Sequence, residues 1–146
     1  LPVTGAVVVS TPQEVALADA RKGVAMFMQE AINVPVLGVV ENMAYFTPEE
    51  LPDNKYYIFG KEGAQNLASD LKIPFLGEVP LVQSIREAGD VGRPAALQEE
   101  GPLKEAFEEI TRNVVRELVV RHTDLPPTEA IKITTMAGCS AVKPKK

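Results

Sequence analysis

Apolar residues along this chain follow two patterns, and their alternation predicts the architecture. Three runs are continuously apolar: Gly5–Ser10 (GAVVVS), Pro35–Asn42 (PVLGVVEN) and Pro74–Pro80 (PFLGEVP). Short unbroken runs belong to strands covered on both faces, as in a parallel sheet. Between them the apolar residues recur at helical spacing. Leu17, Ala20, Val24, Phe27, Met28 and Ala31 form one stripe, the spacing of a core-facing helix. Ahead of it, Ser10-Thr11-Pro12-Gln13-Glu14 supplies an N-cap at Thr11, a proline at the first helical position and a capping-box glutamate at Glu14. Further helices are predicted over Glu62–Leu71, from near Val82, and from Pro102. The last would bury Leu103, Phe107, Ile110, Val114 and Leu118.

The order β-α-β-α-β-α predicts an α/β fold, a doubly wound parallel sheet of three core strands with flanking helices, over residues 1–122. Three strands are few for that architecture, so an unpaired edge is expected. Beyond Pro126-Pro127, TEAIKITTM alternates weakly, and an added edge strand and irregular chain both remain open. AGCSAVKPKK has the composition of a disordered tail, which makes residues 123–146 a partly disordered extension. The chain begins Leu1-Pro2-Val3, almost directly in a strand, and reads as a piece of something longer.

Composition narrows the function classes. At 146 residues, with 45% hydrophobic and 24% charged positions, the chain is sized for one globular domain. A net charge of -5 gives no electrostatic reason to expect nucleic acid or an anionic membrane. No apolar run approaches the roughly 20 residues of a membrane span, and no signal peptide is visible. A single cysteine, Cys139, rules out an intrachain disulfide framework and fits the reducing cytoplasm.

In open α/β sheets ligands bind beyond the carboxyl ends of the strands. Three segments fall there: STPQE, ENMAYF and EVPLVQSIRE. No phosphate-binding G-x-x-x-x-G-K-[ST] occurs in the chain; Gly60-Lys61-Glu62-Gly63 lacks the spacing and reads as a turn leading into a helix. His122 stands alone near a helix end, so no metal site is expected. Asp19, Arg21 and Lys22 lie off the buried stripe, as a solvated face or as part of a subunit interface. Asn42 has two readings. Its amide carries one acceptor and two donors, which match the amino group and ring nitrogen of adenine. Asparagine at a strand end is equally a turn former.

Four ordered blocks, TGAVVVSTPQEVALADARKGVAMF, NVPVLGVVENMAYF, YYIFGKEGAQNLA and IPFLGEVPLVQSIREAGDVGRPAAL, closely resemble the Mrp/ApbC family. Its members are deviant P-loop ATPases that carry iron–sulfur clusters, relatives of MinD/ParA proteins and of the nitrogenase iron protein. The resemblance runs from about Thr4 to Leu97 and implies the C-terminal half of such an ATPase domain. It implies that Asn42 contacts adenine, and that Val79-Pro80-Leu81 forms the other wall of the base pocket. It further implies ATP as the ligand of a full-length parent, a homodimer, and iron–sulfur apo-proteins as partners. Two departures matter. The family's phosphate loop and its magnesium-binding and switch aspartates precede the first block and are not in this chain. After the ENM block many members carry a Cys-x-x-Cys pair, where this chain has Thr47-Pro48-Glu49-Glu50-Leu51-Pro52-Asp53-Asn54. Carboxylates and amides are poor substitutes for thiolates, which makes an iron–sulfur cluster doubtful here. Cys139 is the one candidate replacement, against an incidental free thiol. Two other readings stand beside the carrier ATPase: a MinD/ParA-like positioning or partitioning ATPase without a cluster, and a non-catalytic α/β interaction module.

Overall fold

The computed structural model describes residues 3–48, 50–51, 53–97 and 101–127. The elements run β1 (Ala6–Ser10), α1 (Glu14–Phe27), β2 (Val36–Asn42), α2 (Gly63–Leu71), β3 (Phe75–Val79), α3 (Gln83–Asp90), a 3-10 turn at Ala95–Leu97, and α4 (Pro102–Asp124). Each strand occupies one of the unbroken apolar runs. Among the described residues they form one parallel sheet in the order β1-β2-β3, with β2 central.

Helices cover both faces of this sheet, and each has its own core. On one face Leu17 of α1 and Ala64, Leu67 and Ala68 of α2 pack around Val39. On the other, Val40, Leu76 and Val79 meet Leu103 of α4, with Phe107, Ile110 and Val114 packed against them. Leu76 and Val39 are wholly buried. Burying a side chain of that size contributes roughly 1.5–3 kcal/mol, so these centres hold the two layers together. Of the stripe expected of α4, Leu103, Phe107, Ile110 and Val114 form the face turned to the sheet, while Leu118 is half-buried outside this cluster.

Both strand pairings share an irregularity. The pairing register shifts between Ala6 and Val7 opposite β2, and again between Val39 and Val40 opposite β3. Gly38 and Gly77 lie beside these bulges with φ of 153° and 141°, values that a side chain disfavours. At Gly77 the missing Cβ also admits α4: a Cβ there would come within 2.8 Å of Ile110 Cγ1. Asn113 secures the same approach by donating from Nδ2 to the Leu76 carbonyl at 2.8 Å. At the other end of α4 the buried Arg121 donates from Nε to the Thr4 carbonyl at 3.1 Å, tying the helix to the start of β1.

Three expectations are corrected. The first helix begins at Glu14, with Gln13 in an extended conformation at its N-cap and no side-chain cap bond, so the Thr11–Glu14 capping box does not form. Thr11 instead donates from its hydroxyl to Gln13 Oε1 at 3.2 Å. Pro12 is buried against the Gly60–Gly63 turn, and that packing holds the segment out of the helix. Met28 and Ala31, placed on the buried stripe by spacing, are exposed, because the helix ends at Phe27. In β1 the continuous run is covered on one face only. Val7 and Val9 are 38% and 59% exposed, since α4 lies over β2 and β3 and stops short of this edge. The segment TEAIKITTM, the terminal basic cluster and Cys139 lie outside the described residues.

Candidate nucleotide-base site

The carboxyl ends of β2 and β3 lie side by side. Asn42 is the register partner of Val79, and Glu41 that of Glu78. Pairing continues past the strands, for the Ala44 N–H donates to the Val79 carbonyl at 3.0 Å and the Leu81 N–H to the Tyr45 carbonyl at 2.7 Å. Asn42, Val79, Pro80 and Leu81, far apart in the chain, therefore share one rim. Val79 and Pro80 are buried, and Asn42 and Leu81 are half-buried. Such a rim has apolar surface at its base and one amide at its edge.

The Asn42 side chain makes one hydrogen bond, to the backbone beside it. Its Oδ1 accepts the Met43 N–H at 3.0 Å, and Met43 takes the left-handed backbone conformation, φ 56°. That is a turn-forming bond. It occupies one lone pair of the oxygen and none of the two Nδ2 hydrogens.

One residue earlier the strand carries a buried carboxylate. Glu41 is 2% exposed, and its Oε2 accepts the Ala64 N–H at the start of α2 at 2.6 Å. Burial pushes its pKa above the ordinary carboxylate value; the Ala64 hydrogen bond opposes this, Glu78 and Glu62 add to it, and the Gln65 N–H opposes it again. An acidic group at a helix N-terminus is favourable with respect to the helix dipole, which offsets part of the cost of burying it. A charged residue inside an otherwise apolar strand was the signal for this group, and pattern reading alone passed over it.

The polar loop after β2 has more order than its sequence suggests. Phe46 and Tyr56 form an antiparallel bridge with both N–H···O distances at 2.8 Å, closing the segment between them. Lys55 stands over the Tyr45 ring, 3.7 Å from its centre, and reaches Glu78 Oε1 at 3.5 Å. Burial works against the Lys55 charge, but Tyr45 and Glu78 outweigh it and hold the lysine pKa above its usual value. This ties the loop to the end of β3. No group of three or more metal-ligating side chains occurs among the described residues.

Arg21 and Lys22 fall elsewhere. Arg21 spans a groove of about 710 Å³ between α1 and α2 to reach Asp70 at 2.9 Å, and Lys22 pairs with Asp19 at 3.1 Å on the exposed face. None of the four rim residues lines that groove. His122 is exposed, with Nδ1 2.6 Å from the Leu118 carbonyl within α4. No helix among the described residues is long and apolar enough to cross a membrane.

A family model described as ParA, NUBPL iron-transfer P-loop NTPase, matches residues 1–115. The iron-sulfur cluster transfer protein NUBPL of Dictyostelium discoideum is 43% identical over 125 residues, covering 85% of this chain and 38% of that protein. The iron-sulfur cluster carrier protein of Synechocystis is 48% identical over 99 residues, 68% of this chain and 28% of the relative. Among solved structures, a nucleotide-binding protein from Archaeoglobus fulgidus in complex with ADP superposes with a TM-score of 0.54 at 41% identity, over 62% of this chain and 36% of that one. The chain thus spans between 28% and 38% of the lengths of these relatives. With the family match running over most of its length, the chain belongs to the ParA family of P-loop NTPases, in the iron-transfer NUBPL group.

Proposed function

We propose that this chain is the base-recognition part of an ATP-binding iron–sulfur cluster carrier, with Asn42, Val79, Pro80 and Leu81 forming the adenine site. One observation carries the reading: the pairing of Asn42 with Val79 continues through Leu81, so an amide with unused donors faces an apolar wall at the sheet's carboxyl edge. A purine needs both, a surface for its ring and a donor for a ring nitrogen. The residues fit a base and not its phosphates, because the chain contains no phosphate-binding loop. In the assembled carrier the phosphate machinery comes from other sequence, the working form is a homodimer in the cytoplasm, and the recipients are iron–sulfur apo-proteins.

The test is a titration of the chain with AMP and GMP, followed by NMR shifts at the rim. Asn42→Ala should weaken AMP by roughly 5- to 150-fold, the equivalent of about 1–3 kcal/mol for an unpaired buried polar group. GMP should change far less, since its edge presents O6 and N1–H where adenine has an amino group and a bare nitrogen. Equal loss for both nucleotides together with a lower melting temperature would assign Asn42 to the turn alone.

A second reading rests on the loop Thr47–Asn54, which offers oxygen and amide groups where a cluster needs thiolates. It is nucleotide-dependent positioning or partitioning without a cluster. Iron and sulfide analysis after anaerobic reconstitution separates the two.

A further inference from the structure

The buried Glu41 carboxylate has no part in the base site as described, yet it joins the pieces that surround it. Strand alternation turns Glu41 toward α1 and α2 and its neighbour Asn42 toward the opposite face. Glu41 accepts the Ala64 N–H at the start of α2, beside Gln65. The residue before Ala64 is Gly63, whose position leaves no room for a side chain: a Cβ would come within 2.6 Å of the Pro12 carbonyl oxygen and 2.9 Å of Pro12 Cα. Gly60, at the head of the same turn, also rests on Pro12, at 3.3 Å from its carbonyl oxygen to the built Cβ position. One carboxylate thereby connects the end of β2, the Gly60–Gly63 turn and the segment after β1.

We infer that Glu41 is the positioning residue of the rim: it fixes the carboxyl end of β2 to the start of α2, so that Asn42 and the Thr11-Pro12-Gln13 segment are held as one unit. This rests on the adenine reading only for what the unit serves. The carboxyl accepts the Ala64 N–H, and because burial and the neighbouring Glu78 and Glu62 favour its protonated form in the joined state, loss of that proton loosens the joint. Rising pH through the raised carboxyl value therefore loosens the rim, and acidification tightens it. The groups facing Glu41 are Glu78 from β3, itself paired with Lys55, and Glu62 ahead of α2, paired with Lys61 at 3.3 Å. Ser10, its register partner on β1, is neutral.

The experiment uses the 146-residue chain, without ligand, followed by amide NMR from neutral to mildly acid pH. The amides of Ala64, Gln65 and Gln13 and the side-chain amide of Asn42 should move along one common curve, with its midpoint above that of an ordinary carboxylate. Glu41→Gln, which retains a carbonyl acceptor and cannot titrate, should abolish the curve at all four. Should that variant fail to fold, Glu78→Gln should shift the common midpoint downward by removing a neighbouring negative charge. Titration confined to Ala64 and Gln65 would reduce Glu41 to a local cap and overturn the inference. So would a curve that survives Glu41→Gln, or a midpoint unmoved in Glu78→Gln. AMP titrated in parallel keeps the two ideas apart. Loss of AMP affinity along the same curve, absent in Glu41→Gln, joins the unit to the base site. No AMP binding at any pH removes the adenine reading and leaves the ligand-free result to judge Glu41.

Discussion

Replacing Gly63 by alanine sets two effects of opposite sign against each other. Alanine is the better helix former by about 1 kcal/mol in a helix interior and by less in the first turn, where Gly63 stands. Against this, the new Cβ would meet the Pro12 carbonyl oxygen at 2.6 Å, Leu17 Cδ1 at 2.8 Å and Pro12 Cα at 2.9 Å. The leucine methyl can rotate aside. The two Pro12 atoms are backbone, and moving them displaces the whole Thr11-Pro12-Gln13 segment. Overpacking of this kind costs about 1–3 kcal/mol. The clash wins, and Gly63→Ala should lose about 1–2 kcal/mol. Gly23, inside α1, is the control, because nothing lies within 4 Å of its built Cβ. Gly23→Ala should gain about 0.5–1 kcal/mol from the same propensity term. Urea unfolding followed by far-ultraviolet circular dichroism measures both. Slopes should stay unchanged near 1–3 kcal/mol/M, so the midpoints should move apart in opposite directions by several tenths molar or more. A Gly63→Ala midpoint at or above that of the parent would refute the reasoning.

Four further outcomes are expected. Leu76→Ala, at a wholly buried site between β3 and α4, should cost about 2–5 kcal/mol in the same assay. Glu41 binds its proton more tightly folded than unfolded, so its contribution to stability falls as pH rises from the ordinary carboxylate value through its raised one; the melting temperature of Glu41→Gln should lack that decline. The isolated chain should hydrolyse no ATP above a blank, since phosphoryl transfer depends on positioned phosphate-binding groups that it does not contain. After anaerobic reconstitution it should hold no stable cluster; charge-transfer absorption that disappears in Cys139→Ser would assign the tail a cargo role instead.

β2 and β3 were legible because two-faced burial leaves unbroken apolar runs, and β2 keeps one even across its bulge; β1 shows the same run although one of its faces is open. Helix ends were less so. The first turn of α1 is decided by Pro12 meeting Gly63, a contact between segments some fifty positions apart that no local capping rule contains. Asn42 stood out by its chemistry and by resemblance, while its neighbour Glu41 was missed because its partner, the Ala64 N–H, is a backbone group distant in sequence. The Phe46–Tyr56 bridge was hidden for a similar reason: a polar, proline-containing segment lies between two residues whose pairing is visible only once the loop has closed.

The bare flank of β1 has a consequence for handling the chain. Among the described residues this strand pairs on one side only, and its Val7 and Val9 face solvent. An apolar edge with unpaired backbone groups is a template for any other extended chain, including a second molecule of its own kind. Concentration therefore becomes a variable in every experiment above. Light scattering should reveal growing particle size as the solution is concentrated. Val9→Lys, which places a charge on the open face without touching either core, should keep the material monodisperse.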